Sequence, residues 1–179
     1  MTTISMGLFR ERVENDEVQQ LETLLGNFNR ALNASFGRAA RSSDDTFDFA
    51  ELALISLDKT TAELLYISSG IGLHRVRRGE LLSFPEASKG LNYRLDYSGM
   101  EQRIPLEPED VFYLFSDGLF DQIGGPNQKR FSKMRLKEAI LASDQKNLVK
   151  GMQEIQAALA DWQGSCPQTD DRMMISFRV

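Results

Sequence analysis

The stretch Val111-Phe112-Tyr113-Leu114-Phe115-Ser116-Asp117-Gly118 decides the fold. Its opening run is nearly all apolar, as expected for a strand covered on both faces. It runs directly into Asp117-Gly118, and Leu106-Glu107-Pro108-Glu109-Asp110 before it reads as a turn, because proline and acidic residues interrupt pairing. The chain therefore has a central buried strand with a carboxylate at its C-terminal end.

Upstream of this strand the pattern is of further strands. Phe49 to Leu57 reads as one, Asp58-Lys59-Thr60-Thr61 as a turn, and Ala62 to Ser68 as the returning partner. Leu73–Arg77 and Leu81–Phe84 flank Arg78-Gly79-Glu80 and predict a short hairpin, and Arg94 to Ile104 reads as another strand with polar alternation. Nearer the N-terminus, Val18, Leu21, Leu24, Leu25, Phe28, Leu32 and Phe36 recur at intervals of three and four, which predicts a helix over 16–36. Ile4, Leu8, Phe9 and Val13 suggest an earlier helix over 2–13, and the polar stretch 38–45 breaks the pattern.

Downstream, Gly124-Gly125-Pro126-Asn127 reads as a loop. Ser132 is placed to cap a helix through Leu141, and Asp144 a second one through Trp162, with Leu148, Met152, Ile155 and Leu159 on one face. Met173–Val179 reads as a last strand. Helices, a run of strands, two helices and one strand give an α+β class with mainly antiparallel sheet, not the regular alternation of a doubly wound fold.

Bulk properties narrow the function. The 179 residues suit one domain or most of one, and 41% apolar with 26% charged residues is enough to fill a core. A net charge of −5 leaves no basic footprint for nucleic acid. The single cysteine, Cys166, excludes an intrachain disulfide and fits a reducing compartment, and a lone Cys166 with a lone His74 supports neither a nucleophilic pair nor a zinc cluster. No run of about 18 apolar residues spans a membrane, and the first residues lack the pattern of a signal peptide. A cytoplasmic location is the expectation.

The residues with chemistry to offer are Asp117 and the pair Asp170-Asp171, both at the ends of strong strands. Carboxylates at strand ends can converge although far apart in sequence. Hard cations such as Mg²⁺ and Mn²⁺ take such oxygen ligands, and two of them can activate a water and clamp a phosphoryl group. Gly118 would let the backbone pass close to such a site. Against this stands the plain reading that Asp-Gly and Asp-Asp beside strands are turns. Lys129, Arg130, Lys133, Arg135 and Lys137 form a basic cluster readable either as a solvated face or as a landing site for an acidic phosphoprotein; Trp162 reads as packing.

Four stretches in order resemble one family. VFYLFSDGLFDQI (111–123) with GGPNQKRFSKMRL (124–136), LLYISSGIGLHRVRRGEL (64–81), IPLEPEDVFYLFSDG (104–118) and QTDDRMMISFRV (168–179) are similar to the SpoIIE-type branch of bacterial metal-dependent serine/threonine phosphatases, the PPM or type 2C class. The resemblance covers 1–179 and implies an αββα sandwich of two mainly antiparallel sheets. It implies a binuclear Mn²⁺ or Mg²⁺ centre and hydrolysis of phosphoserine or phosphothreonine by activated water. By carry-over, Asp117 resembles a metal ligand, Gly118 its companion, Asp170 the last metal ligand and Asp171 its neighbour; Asp121 would support the site by hydrogen bonding.

The family's first metal-binding element, an aspartate before a Gly-His-Gly-like turn, has no match in this chain. Residues 1–6 are similar to the helix that follows it, so the expectation is the C-terminal three-quarters of the domain. The implied partner is a phosphorylated regulator, such as an anti-sigma-factor antagonist of STAS fold, with a sensor or receiver module upstream in a longer parent. The alternative is a truncated, non-catalytic binding module of the same fold.

Overall fold

The computed structural model describes residues 20–35, 51–58, 60–88, 90–91 and 95–179. The expected helix over 2–13, the polar break and the start of the first strand lie outside them. The chain divides into two compact units, one comprising Glu86–Leu106 and the chain up to Ile71, the other Gly72–Pro85 and Glu107–Val179.

In the first unit, helix α1 (Leu21–Ser35) forms where the three-and-four spacing predicts it. Leu21, Leu24, Leu25, Phe28 and Leu32 make one buried stripe packed with Leu54, Ile67, Leu91 and Tyr97. Each such side chain contributes roughly 1.5–3 kcal/mol of burial. The Glu101 carboxylate accepts the Leu21 amide at 2.8 Å, satisfying a helix N-terminal donor. The sheet orders β1 (Leu52–Asp58), β2 (Glu63–Ser69) and β5 (Gln102–Pro105), all antiparallel. Asp58 closes the β1–β2 turn by accepting the amides of Thr60 and Thr61 at 2.8 and 3.2 Å. Hydrogen bonds from Thr60 and Thr61 lower its pKa to about 2.

One sequence expectation fails in this unit: of the described residues 95–104, only the end forms a strand. Asp96 accepts the Ser98 amide and hydroxyl at 3.1 and 2.8 Å, a local turn that competes with pairing. Gly99 follows at φ 74°, and its amide donates to Glu22 at 2.7 Å. The polar alternation mimicked a strand whose amides are taken by side chains.

In the second unit a four-stranded antiparallel sheet orders β4 (Glu80–Phe84), β3 (Leu73–Arg77), β6 (Val111–Phe115) and β9 (Met174–Arg178). All five residues of β6 are buried, as its composition predicts for an interior strand. Arg77 grips buried Asp110, at the entry to β6, through Nε at 2.6 Å and a terminal nitrogen at 2.5 Å. Burial opposes ionisation of Asp110, but Arg77 and the Glu107 amide outweigh it and hold its carboxyl below the usual range.

Val76, Val111, Tyr113 and Phe115 from this sheet meet Leu136, Ile140, Ile155 and Leu159 from helices α2 (Ser132–Ala142) and α3 (Leu148–Gln163). Helix α3 starts later than Asp144. That residue instead accepts the amides of Lys146 and Asn147, and Asn147 becomes the cap, accepting the Lys150 amide at 3.1 Å. The Gly124–Asn127 loop proves to be the tip of a minimal hairpin of β7 (Ile123–Gly124) and β8 (Lys129–Arg130). Trp162 packs beside it, its carbonyl accepting the Gly125 amide at 2.7 Å. A Cβ on Gly124 would stand 2.1 Å from that carbonyl oxygen, so glycine is required.

Candidate metal centre

Strand β6 ends at Phe115 and the backbone tightens into a single 3₁₀ turn over Asp117–Leu119. The Asp117 carbonyl accepts the amides of Phe120 and Asp121 at 3.0 and 2.8 Å, fixing the turn, while Asp117 itself is exposed. Strand β9 pairs antiparallel with β6, with Phe115 opposite Met174, so the residues preceding β9 lie beside those following β6. Antiparallel register thus brings together two acidic segments more than fifty residues apart.

Two contacts make the juxtaposition tight. A Cβ on Gly118 would lie 2.2 Å from the Asp171 carbonyl oxygen and 3.3 Å from the Asp170 carbonyl carbon, so any side chain there displaces the acidic segment. Ser116 stitches the same segments: its hydroxyl donates to the Asp171 carbonyl at 3.1 Å and accepts the Met173 amide at 2.9 Å. Of the four residues singled out from the sequence, Gly118 touches the backbone of Asp170 and Asp171, and Asp117 stands next to Gly118 in the chain.

The donor set suits a hard divalent cation in kind. Asp170 and Asp171 are exposed, like Asp117. Asp170 accepts the Asp171 amide at 2.7 Å, while the carboxylates of Asp117 and Asp171 have no hydrogen-bonding or ionic partner among the described residues. Oxygen ligands with room for water are what Mg²⁺ and Mn²⁺ take. In number the set is small: among the described residues no three His, Cys, Asp or Glu side chains group closely enough to hold a metal ion.

Asp121 does not turn its carboxylate to this site. It pairs with Arg130 at 3.0 Å across the hairpin, and only its amide contributes, by closing the turn on Asp117. The basic cluster is also divided among separate tasks. Lys133 lies 4.7 Å over the Phe120 ring, Arg135 lies 4.1 Å over Trp162, and Lys137 donates to Ser83 at 2.9 Å. His74 is inside the unit, stacked on Phe115 with centroids 4.6 Å apart and bonded to Ser83 through Nδ1 at 2.8 Å. Burial, with Lys137 and Lys133 nearby, lowers its pKa to about 4, so it is neutral near pH 7 and structural.

Comparison with known proteins decides the family. The model for Stage II sporulation protein E (SpoIIE) matches residues 1–179. The chain belongs to the SpoIIE family. No individually curated protein matches the chain by sequence. Among solved structures, the SiaA-PP2C domain of Pseudomonas aeruginosa is similar at 24% identity and TM-score 0.84, over 99% of this chain and 68% of that one. The PP2C phosphatase domain of SpoIIE from Bacillus subtilis, with a fragment of its regulatory domain, is similar at 13% identity and TM-score 0.74, over 99% of this chain and 49% of that one. RsbX in complex with magnesium is similar at 17% identity and TM-score 0.59, over 96% of this chain and 71% of that one.

The chain thus spans about two-thirds of the SiaA chain and half of the Bacillus one. The fold class expected from the SpoIIE resemblance, the αββα type, is the one these structures share with it. Sequence reading missed Ser116 and Gln122. Ser116 carried a weak signal, a lone hydroxyl between an apolar strand and Asp-Gly; Gln122 carried none, because its partners are distant in sequence.

Proposed function

We infer that residues 1–179 form a protein serine/threonine phosphatase domain whose metal-bearing residues in this chain are Asp117 and Asp170, with Gly118 and Asp171 beside them. The single observation that supports this best is the approach of Gly118 to the Asp171 carbonyl, where a Cβ would stand at 2.2 Å. It keeps two acidic segments in backbone contact and leaves their side chains to solvent. Mn²⁺ or Mg²⁺, as a binuclear pair once further ligands complete the set, would acidify a water and neutralise phosphoryl charge. Asp117 would supply a carboxylate from the turn after β6 and Asp170 one from the loop entering β9, and Gly118, with no side chain, lets the Asp171 backbone lie directly against that turn. The water oxygen would bond to phosphorus as the serine Oγ–phosphorus bond breaks, and a proton from that water would pass to the serine oxygen, leaving serine and inorganic phosphate.

The substrate class we assign is a phosphoserine on a bacterial regulatory protein, of the anti-sigma-factor-antagonist or STAS type. The setting we assign is the cytoplasm, with a sensor or receiver module elsewhere in the parent protein. The SpoIIE family match supports this reading. Among the described residues no helix is long and apolar enough to cross a membrane. A rival reading, a non-catalytic binding module of the same fold, is favoured by one observation: the small number of ligands that group together among the described residues.

Hydrolysis of a phosphoserine protein by the intact protein, with and without Mn²⁺ or Mg²⁺, separates the two. Turnover should require metal, and Asp117→Asn should lower kcat/KM by roughly 100-fold or more at unchanged melting temperature, since a ligand matters more than the outer-shell groups worth 10–100-fold. Metal-independent turnover, or wild-type turnover in Asp117→Asn, defeats the assignment. Absence of both turnover and metal uptake defeats the phosphatase reading and leaves the non-catalytic one.

A further inference from the structure

The segment carrying Asp170 and Asp171 is held from two sides, and the second holder is a residue with no role so far. Gln122 is completely buried, four residues past Gly118 and just ahead of the β7–β8 hairpin. Its side-chain amide donates to the carbonyls of Ile123 at 2.8 Å and Pro167 at 2.9 Å. Its Oε1 accepts the Thr169 amide at 3.2 Å and a hydrogen bond from the Arg172 guanidinium. Both donors and both acceptor directions of one primary amide are therefore used. The pattern also fixes which way the amide points, since two carbonyls face its nitrogen and only donors, from Thr169 and Arg172, face its oxygen.

Three of these partners, Pro167, Thr169 and Arg172, bracket Asp170 and Asp171. Arg172 reaches on to Gln163 Oε1 at 2.7 Å, at the end of α3, and Gln163 in turn donates to the Cys166 carbonyl at 2.8 Å. The loop from Cys166 to Arg172 is thus fastened to the interior by the side-chain amides of Gln122 and Gln163, beside the Ser116 hydroxyl already described. Among the described residues no carboxylate pairs with Arg172, whose charged guanidinium is held by the side-chain oxygens of Gln122 and Gln163. A carboxylate in place of Gln122 would neutralise that charge and set an oxygen against two carbonyls.

We propose that Gln122 is a positioning residue: with Arg172 it fixes the 166–172 loop so that Asp170 and Asp171 present their carboxylates beside Asp117. This rests on the reading of these aspartates as metal-bearing. A buried amide at the crossing of two acidic segments acts on metal affinity through the loop backbone, as outer-shell partners do when they orient ligands.

The test is Mn²⁺ titration by calorimetry on the intact protein, with hydrogen exchange of the 166–173 amides measured in parallel. Gln122→Met keeps the volume and removes the hydrogen bonds. It should weaken Mn²⁺ binding at least 10-fold and speed exchange in 166–173, in protein still folded by circular dichroism. Gln122→Glu keeps the acceptor for Thr169 and Arg172, and should restore part of the exchange protection lost in Gln122→Met. Should Gln122→Met fail to fold, Gln163→Ala removes the outer anchor of Arg172 and should weaken Mn²⁺ binding about 3-fold, a fraction of the outer-shell effect. A lower melting temperature with wild-type Mn²⁺ affinity in the folded variant reduces Gln122 to a packing residue and overturns the proposal while leaving the metal reading intact. Absence of Mn²⁺ uptake by the unsubstituted protein overturns the metal reading, and the proposal with it.

Discussion

In the first unit, α1 lays Leu21, Leu24, Leu25, Phe28 and Leu32 on its sheet, and its polar contacts tie the helix start to a loop through Glu22 and Glu101. In the second, a core of similar kind stands under β6; the Arg77–Asp110 pair closes the entry to that strand, and at its exit Ser116, Gly118 and Gln122 hold the Asp170–Asp171 segment. Core contacts are non-directional and tolerate adjustment. The acidic segment of the proposed site is instead held by directional hydrogen bonds and a glycine contact with no slack, as a ligand set that tolerates little displacement would require. The difference separates what keeps this protein folded from what keeps its acidic residues aimed.

Substitutions on either side of that division should have different signatures. The largest effect on stability is expected from the first unit. Leu25→Ala removes a fully buried side chain and should cost about 2–5 kcal/mol by denaturant titration. Its Mn²⁺ affinity, measured where the variant is folded, should remain that of the unsubstituted protein. A parallel loss of affinity would show that the two regions are not separable.

The next effect is in the second unit and depends on pH. His74 is buried, with a folded pKa lowered to about 4 from 6.5 by burial first and by Lys137 and Lys133 second. Between these values the unfolded chain binds the proton and the folded one does not. The contribution of His74 is therefore complete above pH 6.5 and is lost as pH falls toward 4, by about 3 kcal/mol. Stability curves from pH 7 to 4 should lose that part of their slope in His74→Phe. An unchanged slope would assign the acid sensitivity to other groups.

The smallest stability effect should carry the clearest functional signature. Gly118→Ala sets a methyl against the Asp171 carbonyl and should cost about 1–3 kcal/mol, the usual scale of overpacking. Because the contact is with the acidic segment itself, Mn²⁺ affinity should fall by about 10-fold or more, as for other groups that orient ligands. Wild-type affinity in Gly118→Ala would mean that the loop moves without disturbing its carboxylates.

Much of this molecule is legible residue by residue. The spacing of Leu21 to Leu32 gives α1, the unbroken apolar run gives β6, and Arg78-Gly79 gives the β3–β4 hairpin. The misreadings share one cause. Asp96, Asp144 and Asn147 hydrogen-bond nearby backbone amides, and Glu22 reaches Gly99 from 77 positions away. Such side chains redirect local structure without changing the hydrophobic pattern. Asp121 shows the same limit at the site: its place in the sequence is right for a supporting role, but Arg130, across a hairpin, claims its carboxylate.

By itself the sequence determined the buried strand, the α+β order and the acidic residues at the ends of two strands, because composition and period report burial and turns directly. Only the tertiary structure decided that the turn after β6 lies against the segment before β9, that Gly118 has room for no side chain, and that Gln122 bonds to Pro167 and Thr169 ahead of Asp170. Strand register and hydrogen bonds across some fifty residues set those facts, and neither leaves a local pattern in the chain.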